Sequence, residues 1–121
     1  VALVPAAAAR GSLPVPYLVE GEETKLSGEA PPMDPQAAEE LRQMMAAVTG
    51  PGGTASAFTA SGDIRGKTGE AEINGGSHSW FTGYRADDDI AFATLVVLGG
   101  GSEAAVALSD RMLLNLDAPA E

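Results

Sequence analysis

The segment RGKTGEAE at residues 65–72 and the segment SWFTGY at residues 79–84 determine how this chain folds. They fall within two stretches, Ile64–Ile73 and Ser79–Arg85, whose pattern predicts β-strands. A third stretch, Ile90–Leu98, is apolar in both phases of the alternation, which is typical of a strand covered on both faces. Because short connections join the three stretches, we expect an antiparallel meander.

A helix is predicted ahead of the sheet. Asp34 is a favourable N-cap, Pro35 suits the first helical position, and Gly50 followed by Pro51 predicts the end. The apolar stripe expected to face the core consists of Ala37, Leu41, Met44 and Val48.

A second helix is predicted after the sheet, capped by Ser102 and followed by a frayed tail over Asp117–Glu121. Its expected apolar stripe consists of Ala105, Leu108, Met112 and Leu116, and this stripe should lie across one face of the sheet. Elsewhere, Val1–Arg10 predicts the last turns of a helix that ends before Gly11, and Glu20–Pro32 predicts a loop or an edge hairpin. The fold class expected from these elements is α+β.

Composition excludes several kinds of function. The 121 residues carry a formal net charge of −10, which argues against nucleic acid as a partner, because phosphate binding needs clustered Lys and Arg. There is no cysteine, and His78 is the single histidine, so a metal site is not expected. The acidic run at residues 87–89 predicts a solvated hairpin turn.

The Lys-Thr-Gly triplet at residues 67–69 is a weak motif alone, but its surroundings make it more specific. Gly53-Thr54-Ala55 precedes it, and a Trp-Phe-x-Gly-Tyr strand, an apolar strand and a final helix follow it. From about Met33 to Leu116, this order resembles the C-terminal part of the transpeptidase domain of penicillin-binding proteins. These proteins belong to the penicilloyl-serine transferases, which also include the serine β-lactamases. The resemblance implies a β-lactamase/transpeptidase-like fold, with the meander inside a five-stranded sheet.

The resemblance also implies roles for four residues. Lys67 would act catalytically, as a positive charge beside the nucleophile and its proton relay. Thr68 would bind the terminal carboxylate of the substrate, and Gly69 would allow the substrate backbone to approach closely. The backbone N–H of Glu70 would form half of the oxyanion hole. Trp80 and Tyr84 are expected to pack the sheet; no cofactor is implied.

One departure from the family pattern concerns Glu70, where the family usually has Thr. Thr68 and Glu70 share a face because side chains alternate along a strand. A carboxylate there would repel an anionic substrate unless it turns aside or pairs with Arg65 or Arg85. We therefore expect Glu70 to weaken acylation by β-lactams.

A second departure is that the nucleophile is absent. The family's Ser-x-x-Lys motif does not occur, because Lys25 and Lys67 are preceded at that spacing by Glu22 and Ile64. Ser-x-Asn is also missing. In the family both motifs lie upstream of Lys-Thr-Gly. Residues 1–121 are therefore expected to be the C-terminal portion of a transpeptidase domain, inactive without the upstream part.

The resemblance implies that the whole protein is a serine-type D,D-transpeptidase, which cross-links peptidoglycan stem peptides through an acyl-serine and binds penicillin. The alternatives are a β-lactamase or D,D-carboxypeptidase of the same family, or a non-catalytic fragment that acts as an interaction module. The implied partners are D-Ala-D-Ala stem peptides, β-lactams and the upstream part of the domain. An open edge at the third strand would favour a homodimer if the chain were isolated. The implied location is extracytoplasmic, at the cell envelope, through a membrane anchor outside this chain.

Overall fold

The computed structural model of the protein describes residues 1–24, 28 and 30–119. The elements in chain order are α1 (Leu3–Arg10), α2 (Pro35–Thr49), β1 (Ile64–Ile73), β2 (Gly76–Arg85), β3 (Ile90–Val96) and α3 (Glu103–Asp117). The predicted loop over Glu20–Pro32 lies partly outside the described residues, as do the last two residues of the predicted tail. Within the described residues, no helix is long and apolar enough to cross a membrane.

The three strands form one antiparallel sheet in the order β1-β2-β3, which confirms the predicted meander and the α+β class. β2 begins at Gly76, three residues before the predicted start, so His78 lies on a strand. β3 ends at Val96, because the chain turns at Leu98, whose φ is +54°. The wider five-stranded sheet stays a prediction.

The helices cover the two faces of the sheet. α3 packs against β2 and β3 on one face, the face that carries Phe81 and Phe92. α1 and α2 pack on the opposite face, where Ala8 and Met45 contact Tyr84. The three predicted helices and the placement of the last one on the sheet are therefore confirmed.

The main core forms around Phe81 of β2, which is fully buried. Its ring centroid lies 5.1 Å from that of Phe58 and 5.8 Å from that of Phe92, within the range of favourable aromatic pairs. Val106 and Leu113 of α3 complete the cluster on the side of the sheet that α3 covers. The core thus joins the sheet, α3 and the loop that contains Phe58.

Two glycines make room for the Phe81 ring. Gly66 and Gly83 lie directly opposite each other on β1 and β2. A Cβ atom at Gly66 would lie 2.3 Å from Phe81 Cζ, and a Cβ atom at Gly83 would lie 2.8 Å from Phe81 Cε1. Since both distances are far below van der Waals contact, the ring and this glycine pair fit together only in the observed register.

α2 begins as predicted. Its predicted stripe is right at Leu41 and Val48, which pack against the cores, and one residue out at Ala37 and Met44. Asp34 Oδ1 accepts hydrogen bonds of 3.0 Å from the N–H groups of Gln36 and Ala37. The buried side chains are Ala38 and Met45, whereas Met44 is exposed. Ala37-Ala38 and Met44-Met45 are apolar pairs, so the periodicity fits either phase. Packing against α1 and β1 selects the second member of each pair.

α3 departs from the prediction at both ends. Ser102 makes no capping hydrogen bond; instead Ser79 Oγ on β2 accepts from the N–H of Ala105 at 2.9 Å. The helix extends through Asp117, which was predicted to belong to the tail.

The buried stripe of α3 also differs from the prediction. The buried residues are Ala105, Val106, Ser109 and Leu113, whereas Leu108 and Leu116 are exposed. The predicted stripe is therefore right at Ala105, wrong at Leu108 and Leu116, and only partly buried at Met112.

Polar contacts fasten α3 to the rest of the fold. Asp110 Oδ1 accepts 2.7 Å hydrogen bonds from the N–H groups of Thr59 and Ala60. Burial would raise the pKa of Asp110, but these bonds and the Thr59 hydroxyl hold that pKa below its ordinary value. At the C-terminal end of α3, Arg85 binds Asp117 at 2.8 Å, and the same arginine binds Asp88 at 3.0 Å.

The acidic turn at residues 87–89 is exposed, as predicted, and each of its carboxylates also has a partner. Asp88 pairs with Arg85, Asp89 pairs with Arg10, and Asp87 accepts from the N–H of Asp63. These contacts tie the β2–β3 turn to α1, to the residue before β1 and to the end of β2. The predicted exposed hairpin turn is therefore confirmed, and the prediction lacked only the partners of its carboxylates.

β3 was predicted to be covered on both faces, and the described residues cover it only in part. Phe92 is buried towards α3, and Ala91 packs beside Tyr84 on the other face. Farther along, Leu95 is exposed, as are Val97 and Leu98 beyond the strand. Within the described residues β3 is also an edge strand.

We predict that Gly66→Ala destabilises the protein by about 1–3 kcal/mol, because the added methyl group overlaps Phe81 in a packed core. The measurement is the urea midpoint and slope of unfolding. Gly28→Ala is the matched control, since nothing lies within 4 Å of a Cβ atom there. Equal midpoints for Gly66→Ala and the control would contradict the role given to the glycine pair.

Candidate functional site

β1 presents a regular row of backbone groups to the side away from β2. Asp63 and Ala86 continue the β1–β2 register, and the N–H of Ala86 donates to Asp63 O at 3.0 Å. Hydrogen-bonded pairs alternate along antiparallel strands, so Arg65, Lys67 and Gly69 direct their backbone groups towards β2. The backbone groups of the even-numbered residues, among them Gly66, Thr68 and Glu70, point the other way.

A side-chain contact supports this assignment. Thr49 Oγ1 donates to Ile64 O at 2.6 Å from α2, on the side away from β2. Within the described residues β1 is the edge strand on that side. The N–H groups of Thr68 and Glu70 therefore face the position that an added strand would occupy, which is the arrangement used in edge augmentation.

Thr68 lies on the α3 face of the sheet and is buried. Its Oγ1 is 2.8 Å from Thr54 Oγ1, and either hydroxyl can be the donor. Thr54 itself is exposed and stands in the loop after α2. The two hydroxyl groups therefore form a hydrogen-bonded pair beside the open edge of β1. In this pair Thr54 orients the Thr68 hydroxyl.

Lys67 lies on the opposite face from Thr68 and is exposed. Its Nζ donates to Thr68 O at 2.7 Å. Because that carbonyl points away from β2, the contact brings the ammonium group to the same edge as Thr68. Lys67 also borders a cavity of about 250 Å³ that Trp80 and Thr82 line. Trp80 was expected only to pack the sheet, and it is in addition part of this cavity wall.

Gly69 lies between the two edge-facing residues, and the space around it is limited on the sheet side. A Cβ atom there would lie 3.3 Å from Trp80 Cβ on the neighbouring strand, which is a tight contact. The absence of a side chain therefore serves the packing of Trp80 beside β1, and the access for a substrate backbone that the resemblance implies stays a prediction.

Glu70 turns along the sheet rather than towards an arginine. Ser77 Oγ donates to Glu70 Oε1 at 2.6 Å across the hairpin. Arg65 is bound to Asp63, and Arg85 is bound to Asp88 and Asp117. The suggested pairing of Glu70 with either arginine is therefore not what the structure shows. The carboxylate turns aside towards the end of the hairpin and stays on the same face as Thr68.

Sequence reasoning missed two of the residues that orient this site, Thr54 and Ser77. Thr54 stood within the Gly-Thr-Ala segment noted before the strand, but nothing in the spacing showed that it would reach Thr68. Ser77 comes before the predicted start of the second strand at Ser79, whereas it lies on β2 diagonally opposite Glu70. His78, also on β2, accepts a hydrogen bond from the N–H of Leu98 at 3.0 Å through Nδ1 and thus supports the end of β3.

Comparisons with known proteins agree on one family. Residues 1–113 match the penicillin binding protein transpeptidase domain. The match includes α1, so it begins earlier than the expected start near Met33. No curated protein matches the chain significantly.

A solved structure also resembles the chain. It is the D,D-transpeptidase domain of a peptidoglycan glycosyltransferase from Eggerthella lenta, with 25% sequence identity and a TM-score of 0.56. The alignment covers 94% of this chain and 31% of that one, so the chain spans about a third of the length of its structural relative. The edge geometry, the family match and the structural likeness lead to one conclusion: the chain belongs to the penicillin-binding protein transpeptidase domain family.

Proposed function

We propose that this chain supplies the substrate-binding strand of a peptidoglycan D,D-transpeptidase that also binds penicillin. The observation that carries the proposal is the edge of β1, where the outward N–H groups of Thr68 and Glu70 lie beside the Lys67 ammonium. A stem peptide ending in D-Ala-D-Ala would add to this edge as a strand. The location proposed for the protein is extracytoplasmic, with a membrane anchor outside this chain.

The proposed reaction is acyl transfer in two steps. A serine of the upstream part attacks the carbonyl carbon of the D-Ala-D-Ala peptide bond, and the terminal D-Ala leaves with a proton on its new amino group. An amine of a second stem then attacks the acyl-serine, which restores the serine and forms the cross-link. If water takes the place of the amine, the same site is that of a carboxypeptidase or a β-lactamase.

The residues of this chain would bind the substrate and stabilise the negative charge that develops during the reaction. The N–H of Glu70 faces the edge and would donate to the carbonyl oxygen as negative charge develops on it. The Thr68 hydroxyl, oriented by Thr54, would donate to the terminal carboxylate of the substrate. The Lys67 ammonium would attract that carboxylate and favour the ionised state of the proton relay.

The upstream part of the same domain is the proposed partner of the exposed side of β3. Leu95, Val97 and Leu98 are exposed there, and the edge of β3 is open within the described residues. Apolar side chains beside an unpaired strand edge favour association with another strand. For the chain in isolation, pairing of two copies through this edge would serve the same purpose, giving a homodimer.

We predict that the isolated chain does not become covalently labelled by fluorescent penicillin, because it contains neither Ser-x-x-Lys nor Ser-x-Asn. Labelling should appear on the upstream polypeptide when that part and this chain are present together. The measurement is in-gel fluorescence after denaturation. Label on this chain alone would contradict the proposal that the nucleophile lies upstream.

We predict that Glu70→Thr in the whole protein increases the rate of acylation by anionic penicillin by about fivefold. The Glu70 carboxylate turns towards Ser77 but stays on the same face as Thr68, so its charge still lies near the edge. Its replacement by a hydroxyl removes a repulsion that is worth about 1 kcal/mol at this distance. Stopped-flow or quenched labelling gives the second-order rate constant. Glu72→Thr is the matched control, because it makes the same change of charge two residues farther along β1. An equal or slower rate for Glu70→Thr than for the native protein would contradict the proposed carboxylate site.

A further inference from the structure

A cavity of about 380 Å³ lies on the α1 and α2 side of the sheet, away from the edge of β1. Four of the seven Lys and Arg residues of this acidic chain line it: Arg10, Arg42, Arg65 and Arg85. The arginines come from α1, α2, β1 and β2, so the fold brings them together from distant parts of the sequence. Each of them is held by an ion pair with a carboxylate, so the cavity is lined by fixed guanidinium groups rather than by free positive charge.

Arg42 of α2 and Arg65 of β1 are held in place by hydrogen bonds, but these bonds do not use all of their N–H groups. Arg42 binds Glu39 through Nε and Nη2 and donates from Nη1 to Ala8 O. Arg65 binds Asp63 through Nε and Nη2 and donates from Nη1 to Arg42 O. A guanidinium has five N–H hydrogens, so each of these two groups keeps hydrogens that a further acceptor could use.

The hydroxyl of Tyr84 is the second, independent observation. Tyr84 is only 3% exposed and lines the same cavity, yet its hydroxyl has no hydrogen-bond partner within the described part of the chain. Burial raises the pKa of Tyr84 against the opposing effect of Arg65, so the hydroxyl keeps its proton at neutral pH. A buried donor without an acceptor is rare in native proteins, so the Tyr84 hydroxyl has the capacity for one further hydrogen bond.

We propose that this cavity binds a small organic monoanion through its carboxylate or phosphate-ester oxygens. The oxygens would accept from the Tyr84 hydroxyl and from the remaining N–H groups of Arg42 and Arg65. The volume is in the range of small-molecule sites, and Ala9, Ile90 and Ala91 give the wall an apolar part for the body of the ligand.

The charge of the wall limits the ligand to a single anionic group. Each of the four arginines is paired with at least one carboxylate, so the positive charge of the cavity is already balanced. A polyanion would meet these carboxylates, whereas one oxyanion on an apolar body would contact mainly the donors. The site is separate from the edge of β1 and does not depend on the proposed transpeptidase reaction.

The test is isothermal titration calorimetry of the full-length protein with benzoate, a monoanion with a small apolar body. Benzoate is expected to bind, whereas the neutral benzamide and inorganic phosphate bind at least tenfold more weakly. Tyr84→Phe, which removes only the hydroxyl, should raise the dissociation constant for benzoate by about tenfold. Tyr17→Phe is the matched control, because Tyr17 is exposed and lies outside the cavity.

A second variant keeps the test independent of the tyrosine. Ala9→Leu would fill the cavity from α1 and should abolish benzoate binding. Equal binding of benzoate and benzamide would overturn the proposal, as would tighter binding of phosphate than of benzoate. Unchanged affinity in Tyr84→Phe, or no binding of benzoate to the native protein, would overturn it as well.

Discussion

The contact between the Phe81 ring and the Gly66–Gly83 pair is the constraint on which the rest of the structure depends. The ring lies where two side chains would otherwise stand, so β1 and β2 pair in one register. A slip of one residue would move each side chain of β1 to the opposite face. It would also exchange the backbone groups that face the open edge, so that Lys67 and Gly69 would present their N–H groups in place of Thr68 and Glu70. The core contact and the set of backbone groups at the open edge of β1 are therefore fixed by the same register.

The edge itself combines backbone and side-chain elements from both faces of the sheet. Thr68 reaches the edge from the α3 face, with its hydroxyl hydrogen-bonded to that of Thr54. Lys67 reaches the edge from the other face, where its ammonium group donates to Thr68 O. Glu70 supplies an outward N–H, while its carboxylate is drawn towards Ser77. A residue whose side chain departs from the family pattern can therefore keep the backbone role, because the two groups point in different directions.

Much of the fold could be predicted from the sequence, because strong local signals mark it. Asp34-Pro35 and Gly50-Pro51 delimit α2, and the alternation around Lys-Thr-Gly gives β1 and β2. The motif also led to the family. What could not be predicted depends on contacts between distant segments: Ser79 caps α3, and the carboxylates after β2 bind Arg85 and Arg10. The apolar pairs in α2 fit two helical phases, and only packing selects one. The orienting roles of Thr54 and Ser77 likewise depend on the register of the hairpin.

The most direct test of the central claim is amide hydrogen exchange along β1, measured residue by residue in the full-length protein before and after acylation by penicillin. We predict that the amides of Lys67 and Gly69, which pair with β2, are protected in both states. The amides of Thr68 and Glu70 should exchange faster in the free protein, and that of Glu70 should become protected on acylation. Equal protection of all four amides in the free protein, or an amide of Glu70 that acylation leaves unchanged, would contradict the account.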